Sequence, residues 1–199
     1  MEGTPKRPRR APAPEERKLC PERSRRLLME AARDEFAQKG FAGARVQDIA
    51  DRAGVNKQLI TYHFGGKEGL YRELGREWLK REESFNDPAI PLDELAIRYL
   101  REAFADPRAT RFNAWCGLDD AAPEQGPEDL SDLRRRQAEG EIAEDIDPAM
   151  AMLLYISLVT APIALPHAVR RLFDADPESP EFREHYAEQL RRVVRHLAT

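Results

Sequence analysis

Apolar residues recur at three- and four-residue intervals along most of this 199-residue chain, and the positions between them are mainly polar. This period places the apolar side chains on one face of a helix, whereas a half-buried strand would need strict alternation. No alternation of useful length occurs. The pattern therefore predicts an all-α protein. The predicted helices span 22–39, 46–53, 57–64, 67–83, 92–104, 108–118, 129–144, 149–173 and 180–197.

The segment 46–64 has the pattern of two short helices joined by a glycine turn. Apolar side chains mark one face of the first helix at Val46, Ile49, Ala50 and Ala53. Gly54 ends this helix, and Asn56 can cap the next one by accepting a hydrogen bond from a backbone N–H. Ile60 and Phe64 form the apolar stripe of the second helix. Two such helices predict a helix-turn-helix, whose second helix enters a DNA major groove.

The outward positions of the second helix carry mostly hydrogen-bonding groups. Gln can pair bidentately with adenine and Lys with guanine, while a threonine methyl can touch a thymine methyl. We expect Tyr62 and His63 to bind phosphate while their neighbours contact base edges. The alternative is a polar helix surface without a partner. The predicted DNA-contacting residues are Arg45, Gln47, Asn56, Lys57, Gln58, Leu59, Thr61, Tyr62, His63 and Lys67.

The run GVNKQLITYHFGGKEGLY, preceded by QDIADRA, resembles the DNA-binding domain of the TetR family of transcriptional regulators. Two helix starts depart from the family pattern, because Gly66 replaces a serine or aspartate cap and Ala44 with Arg45 replaces a threonine cap. Glu35 also stands where the family usually has an apolar residue, so we expect a looser or salt-bridged contact there. The resemblance implies a homodimer that binds a double-stranded DNA operator and a small-molecule effector.

The resemblance and the composition together divide the chain into three parts. Residues 1–21 hold five prolines and six Lys or Arg, and this composition predicts a flexible basic arm. Residues 22–66 form the predicted three-helix DNA-binding domain, and 67–199 form a ligand-binding and dimerisation domain. The resemblance implies that the helix beginning at Lys67 relays ligand binding to the DNA-binding domain. The start of this helix offers backbone N–H groups to a phosphate. The first 72 residues carry sixteen Lys or Arg against ten Asp or Glu, which suits a DNA-facing end.

Aromatic and sulfur-containing residues of the second domain could line a ligand cavity between the middle helices. Residues with this helical spacing are more often plain core, so both interpretations stay open. No basic cluster marks the cavity for an anionic ligand. The candidate ligand-binding residues are Trp78, Tyr99, Phe104, Phe112, Trp115, Cys116, Met150, Met152 and Tyr155.

The segment 150–165 is apolar nearly all round, so a helix there must be buried on most sides. Asp147 and Pro148 signal its start, as a capping residue and a proline at the first helical position. The segment is short for a membrane span, and Pro162 and Pro166 would kink it. We therefore predict a subunit interface and no membrane association. In the family, the last two helices pair with their copies in a four-helix dimer interface.

The sequence contains few signals for catalysis, cofactor binding or metal binding. No glycine-rich phosphate loop, GxSxG, CxxC or HExxH occurs, so we expect neither an enzyme nor a cofactor. The histidines lack metal-ligand spacing, and we expect a satisfied core position for His167 and solvent exposure for His185 and His196. Cys20 and Cys116 suit a reduced, cytoplasmic setting better than a disulfide.

The residue patterns predict a helical DNA-binding protein, and the resemblance implies a ligand-responsive transcriptional regulator, with repression as the usual outcome in the family. It would bind a palindromic operator as a homodimer, and a small molecule would release it. The alternative is a ligand-binding or protein-interaction module without specific operator recognition.

Overall fold

The computed structural model describes residues 14–118, 123 and 126–198. These residues form ten α-helices and one short 3₁₀ helix, with no strand among them, so the predicted all-α class is confirmed. The helices are α1 (Pro14–Gly43), α2 (Val46–Ala53), α3 (Gln58–Phe64), α4 (Lys67–Glu82), α5 (Leu92–Ala105), α6 (Pro107–Cys116), α7 (Ser131–Ala138), α8 (Pro148–Ala164), α9 (Pro166–Phe173) and α10 (Pro180–Arg195).

Helices α1–α4, which we call the head, enclose one apolar cluster. Leu28, Phe36, Ile49, Ile60 and Leu70 are fully buried in it, so each of the four helices contributes to the same core. The helix-turn-helix forms as predicted, because Gly54 ends α2 in the left-handed conformation with φ 66°. The cluster also contains Leu74 and residues of α6, so the predicted boundary at residue 66 divides a continuous core.

Helices α5–α10, which we call the body, surround a second cluster. Helix α5 is its centre, with Leu92, Ala96, Ile97, Leu100 and Ala103 buried against α8 and α10. Helix α6 leaves this cluster and packs along α1 instead. The body is therefore fastened to the head by one of its own helices.

Helix α1 begins earlier than predicted, at Pro14. Part of the predicted flexible arm, residues 14–21, is therefore helical, and the rest of that arm lies outside the described residues. The segment between Pro14 and Pro21 is rich in Glu, Arg and Lys, which favour helices, and proline is accepted at a helix start. The backbone leaves the helical conformation at Gly40, with φ 67° and ψ −177°, where the sequence predicted the end.

Two predicted helices of the body differ from the structure. Helix α7 ends at Ala138, because Gly140 turns the chain with φ 82°. The predicted helix 149–173 is two helices bent by 86°, and the break at Leu165 directly precedes Pro166. Proline cannot supply the N–H that a continuous helix needs at that point. Among the described residues no single helix is long and apolar enough to cross a membrane. The bent pair of α8 and α9, taken together, has the length and the apolar composition of a membrane span.

Candidate functional site

Helix α3 is held by its inner face and presents its outer face to solvent. Ile60 is fully buried, and Leu59 packs partly against the head cluster. Asn56 Oδ1 accepts a hydrogen bond from the backbone N–H of Gln58 at 2.9 Å, so this predicted cap is present. Four outward side chains are exposed to solvent, namely Lys57, Gln58, Thr61 and Tyr62. Tyr62 has 74% of its surface exposed.

His63 is turned away from this face. Its Nε2 lies 3.0 Å from Ser24 Oγ, and that hydroxyl also donates to the carbonyl of Pro21. Partial burial, and then the nearby Arg25 guanidinium, lower the pKa of His63. The expected phosphate role of His63 is therefore not favoured by its position. The contact instead ties α3 to α1.

The remaining predicted DNA-contacting residues border the same surface. Arg45 is exposed at the start of α2, and the exposed Gln47 donates to Asp51 Oδ1 at 2.8 Å. Lys67 is half-buried at the start of α4, with its ammonium group 4.5 Å from the centre of the Phe41 ring. These three positions flank α3 but differ in how freely their side chains can reach a partner.

Gly69 sets the distance between α3 and α4, a role that the residue pattern did not reveal. A Cβ atom at Gly69 would lie 1.7 Å from the carbonyl oxygen of Phe64, far inside any permitted contact. Only glycine therefore allows the end of α3 to rest on the first turn of α4. The one local signal for this contact is a glycine in the first turn of a predicted helix.

The buried Glu35 is salt-bridged, as its unusual position in the head predicted. It is 3% exposed, and its carboxylate lies 2.6 Å from Lys39 Nζ and 2.9 Å from an Arg52 nitrogen. Arg52 belongs to α2, so the pair links α1 to the helix-turn-helix. A charge removed from water is tolerated when it is paired in this way.

Three of the predicted ligand-binding residues contact the head. The Phe112 ring centre lies 4.4 Å from that of Tyr71, and Cys116 Sγ lies 2.7 Å from the Tyr71 hydroxyl. Trp115 Nε1 donates to the carbonyl of Ala37 at 3.3 Å. The reason is the position of α6 along α1, which residue spacing within α6 cannot reveal. Trp115 also borders a surface pocket of about 290 Å³ with Leu118 and Pro166.

An ionic cluster strengthens the same contact between α6 and α1. The Arg108 guanidinium lies 2.6 Å from a Glu30 oxygen, 2.9 Å from Asp34 and 2.8 Å from Asp106. Burial is the largest single influence on the pKa of Asp106 and raises it, but the hydrogen bonds and charge of Arg108, together with the charge of Arg33, lower that pKa below its ordinary value. Arg108 therefore joins the body to the head through Glu30 and Asp34, while Asp106 belongs to the body itself.

Apart from Trp78 of α4, the other candidates lie in the body, where Tyr99 and Tyr155 meet edge-on with ring centres 5.5 Å apart. The Tyr99 hydroxyl donates to the carboxylate of Glu82, at the last residue of α4. The Tyr155 hydroxyl is buried and has no hydrogen-bond partner in the described structure. Burial is the main cause that raises the pKa of both tyrosines, so both hydroxyls stay protonated.

Trp78 and Met152 border this tyrosine pair through neighbouring side chains, whereas Phe104 and Met150 lie apart. Trp78 contacts Phe85, which in turn contacts Tyr99. Met152 packs partly against the body cluster. Phe104 instead lies under the Arg183 guanidinium at 4.8 Å, and Met150 is 52% exposed. Sequence reasoning missed Glu82 and Phe85, which stand at the end of a helix and in a turn.

The histidines of the body are exposed, including His167. The expected core position of His167 is therefore wrong, because the break after α8 turns this residue outward. The solvent-facing positions expected for His185 and His196 are confirmed. Among the described residues no group of three or more His, Cys, Asp or Glu is arranged to hold a metal ion.

Comparisons with known proteins agree with this architecture. Residues 28–74 match the family model for bacterial regulatory proteins of the tetR family. The chain is 36% identical over 95 residues to the HTH-type transcriptional regulator RutR of Escherichia coli, covering 44% of this chain and 45% of RutR. The match thus spans about half the length of that curated relative.

Two similarities extend over most of the chain. The HTH-type transcriptional repressor SCO4008 of Streptomyces coelicolor is 28% identical over 191 residues, covering 87% of this chain and 96% of the relative. The crystal structure of SCO4942 from Streptomyces coelicolor superposes with a TM-score of 0.68 at 27% identity, covering 85% of this chain and 97% of that one. Residues 28–74 are therefore a DNA-binding domain of the TetR family of bacterial regulatory proteins, and the similarity to SCO4008 and SCO4942 extends into the helical body.

Proposed function

We propose that this protein is a ligand-responsive transcriptional repressor that binds a palindromic DNA operator as a homodimer. A small-molecule effector releases it. The main observation behind this proposal is the polar outer face of α3. The inner face of this helix is held in the head core by the fully buried Ile60. Tyr62, which is 74% exposed, adds a hydroxyl group to this face.

The exposed groups of α3 suit the two kinds of contact that DNA offers. Lys57, Gln58 and Thr61 have the donors, acceptors and methyl group that distinguish base edges in the major groove. Tyr62 can donate its hydroxyl to a phosphate, and the exposed Arg45 lies at the start of the neighbouring helix. In this assignment His63 and Asn56 position α3, and the other four groups of that helix face the DNA.

The homodimer is supported by apolar side chains that α8 leaves uncovered. In the isolated chain Leu153 is 59% exposed and Ile156 is 43% exposed, and Val193 of α10 is also exposed. A second copy would remove this surface from water, which is a favourable process. Two-fold pairing would also set two recognition helices about 34–36 Å apart, the spacing of successive major grooves.

The effector response is supported by the path of α4. This helix begins at the contact between Gly69 and Phe64 and ends at the hydrogen bond between Glu82 and Tyr99. Its sixteen residues span about 24 Å, so one rigid helix reaches from α3 to the tyrosine pair. A ligand that binds only one orientation of α4 shifts the population of DNA-competent heads by its differential affinity.

Selection of bound fragments from the source genome tests the proposal. The purified full-length protein is incubated with genomic fragments at a stated salt concentration, because phosphate contacts make affinity salt-dependent. We expect recovery of a palindromic sequence. Weak binding that is equal on all fragments would instead support the alternative module without operator recognition.

Two substitutions on α3 then separate base contacts from phosphate contacts. Gln58→Ala should change the preferred base at one operator position, with a cost of roughly 1–3 kcal/mol on the original operator. Tyr62→Phe should weaken binding about equally on all sequences, because a phosphate contact carries no sequence information. Uniform weakening by Gln58→Ala, or unchanged affinity of Tyr62→Phe, contradicts the assigned role of that residue.

A further inference from the structure

A row of four aromatic rings runs through the body beside the end of α4. The ring centres of Trp78 and Phe85 are 6.2 Å apart, those of Phe85 and Tyr99 are 4.9 Å apart, and those of Tyr99 and Tyr155 are 5.5 Å apart. Each contact is edge-on, with interplanar angles of 65°, 82° and 82°. Ring faces carry partial negative charge and attract cations, most strongly at tryptophan and tyrosine.

The carboxylate next to this row lacks a cationic partner. Glu82 accepts the Tyr99 hydroxyl but makes no ion pair within the described part of the chain. The two nearby guanidinium groups are directed at other oxygens. The fully buried Arg136 donates to two carboxylates and to the backbone carbonyls of Ile90 and Pro88. Arg98 donates to the carbonyl of Phe85 at 3.4 Å. The negative charge of Glu82 is therefore left for a ligand to neutralise.

The Tyr155 hydroxyl adds an unused polar group to the same place. It is buried without a hydrogen-bond partner in the described structure, and such a group costs free energy until something pairs with it. Its oxygen can face an ammonium group, or its O–H can donate to a polar atom of a ligand. Rings, carboxylate and hydroxyl thus lie together between α4, α5 and α8.

We infer that the effector is an organic cation, an amine or quaternary ammonium compound with an apolar body, which this aromatic row and Glu82 bind together. The inference rests on the ligand-responsive function proposed above and specifies its ligand class. A cation can interact favourably with both the ring faces and the carboxylate. An anion meets Glu82 with like charge, and a neutral molecule of the same shape gains only apolar contact. A cation also competes with Tyr99 for Glu82, which changes how the end of α4 is held.

Three matched probes test the charge requirement on the full-length protein. Phenyltrimethylammonium is the cation, tert-butylbenzene has the same shape without charge, and benzenesulfonate is a similar anion. Titration calorimetry should give saturable binding of the cation that is about tenfold or more tighter than that of the neutral probe. Equal affinity of the neutral probe, tighter binding of the anion, or no saturable cation binding overturns the inference.

A pair of variants on α4 locates the site. Glu82→Gln removes the charge and should weaken cation binding about tenfold while leaving the neutral probe unchanged. Glu83→Gln is the matched control, since Glu83 is exposed and follows directly in the chain, and it should bind the cation as the natural protein does. Equal losses in both variants overturn the assignment to Glu82. If Glu82→Gln does not fold, the three-probe comparison on the natural protein still decides.

Operator selection, measured separately, distinguishes this inference from the proposed function. A protein that prefers the cation but selects no operator refutes the regulator and leaves the cation site intact. One that selects an operator but binds cation and neutral probe equally refutes the ligand class alone.

Discussion

Helices α3 and α8 both expose much of their surface, but α3 exposes polar groups and α8 exposes apolar ones. On α3 the uncovered side chains include Gln58 and Tyr62, while on α8 they include Leu153 and Ile156. Polar groups remain hydrated until DNA replaces the water, so the head is stable in water without a partner. Exposed apolar groups lower their free energy only when covered. The head therefore has a complete core and the body has an incomplete one.

Gly69→Ala should have the largest effect, because it disturbs the contact between α3 and α4 in the head. The added Cβ would collide with the Phe64 carbonyl at 1.7 Å, so α3 must shift away from α4. We expect a loss of about 3 kcal/mol in the free energy of unfolding, measured by urea denaturation, and lost operator binding. Gly75→Ala in the same helix meets nothing within 4 Å and should stabilise the protein by about 0.5–1 kcal/mol. Equal effects of the two substitutions would show that Gly69 does not set the helix spacing.

Leu153→Asp tests whether a second copy covers the exposed apolar surface of the body, because it puts a charge into the proposed dimer interface. We expect the dimer dissociation constant to rise by about 30-fold, or 2 kcal/mol, in sedimentation equilibrium. The fold should persist, because this side chain is 59% exposed in the single chain. Leu79→Asp, with a 58% exposed leucine on α4, is the control and should leave the dimer unchanged. An unaltered dimer in Leu153→Asp would place the interface elsewhere.

The junction of the two regions is tested by Arg108→Gln. Loss of its pairs with Glu30, Asp34 and Asp106 should cost about 1–2 kcal/mol at low salt and less at high salt, where charges are screened. Thermal melting at two salt concentrations measures both effects. Arg111→Gln on the same helix is the control, since Arg111 is exposed and makes no ion pair in the described structure. Identical melting of the two variants would contradict a role for Arg108 in joining head and body.

The smallest effect concerns the pH dependence of the head. The pKa of His63 lies below its ordinary value of 6.5, so the unfolded chain binds more protons than the folded one between the two pKa values. The contribution of neutral His63 to the free energy of unfolding is therefore fully present above pH 6.5. It is lost as the pH falls through the pKa that His63 has in the folded protein.

We expect His63→Gln to remove this pH-dependent contribution. Urea denaturation at pH 7 and pH 5.5 gives the difference in free energy for each protein. The exposed His167→Gln should keep the pH dependence of the natural protein. A pH dependence that survives in His63→Gln would assign it to another group.

Local signals are sufficient to predict the helix-turn-helix. The apolar period around Ile49 and Ile60, the glycine at position 54 and the cap at Asn56 all act within one or two helical turns. Hydrogen bonds and side-chain contacts over four residues are encoded in the segment that makes them. The same holds for Asp147, whose side chain caps α8 as the sequence predicted.

Tertiary packing decided which side chains share a site. Phe112 and Cys116 have the spacing of ligand-lining residues, yet α6 carries them to the head. His63 has the spacing of a phosphate ligand, yet Ser24, distant in the chain, lies against it. Tyr155 and Glu82 both meet Tyr99 only where three helices converge. Most of the helices and the helix-turn-helix follow from the residue pattern, because they depend on residues that are neighbours in the chain. The contacts between helices depend on how separate segments pack, and only the tertiary structure contains that information.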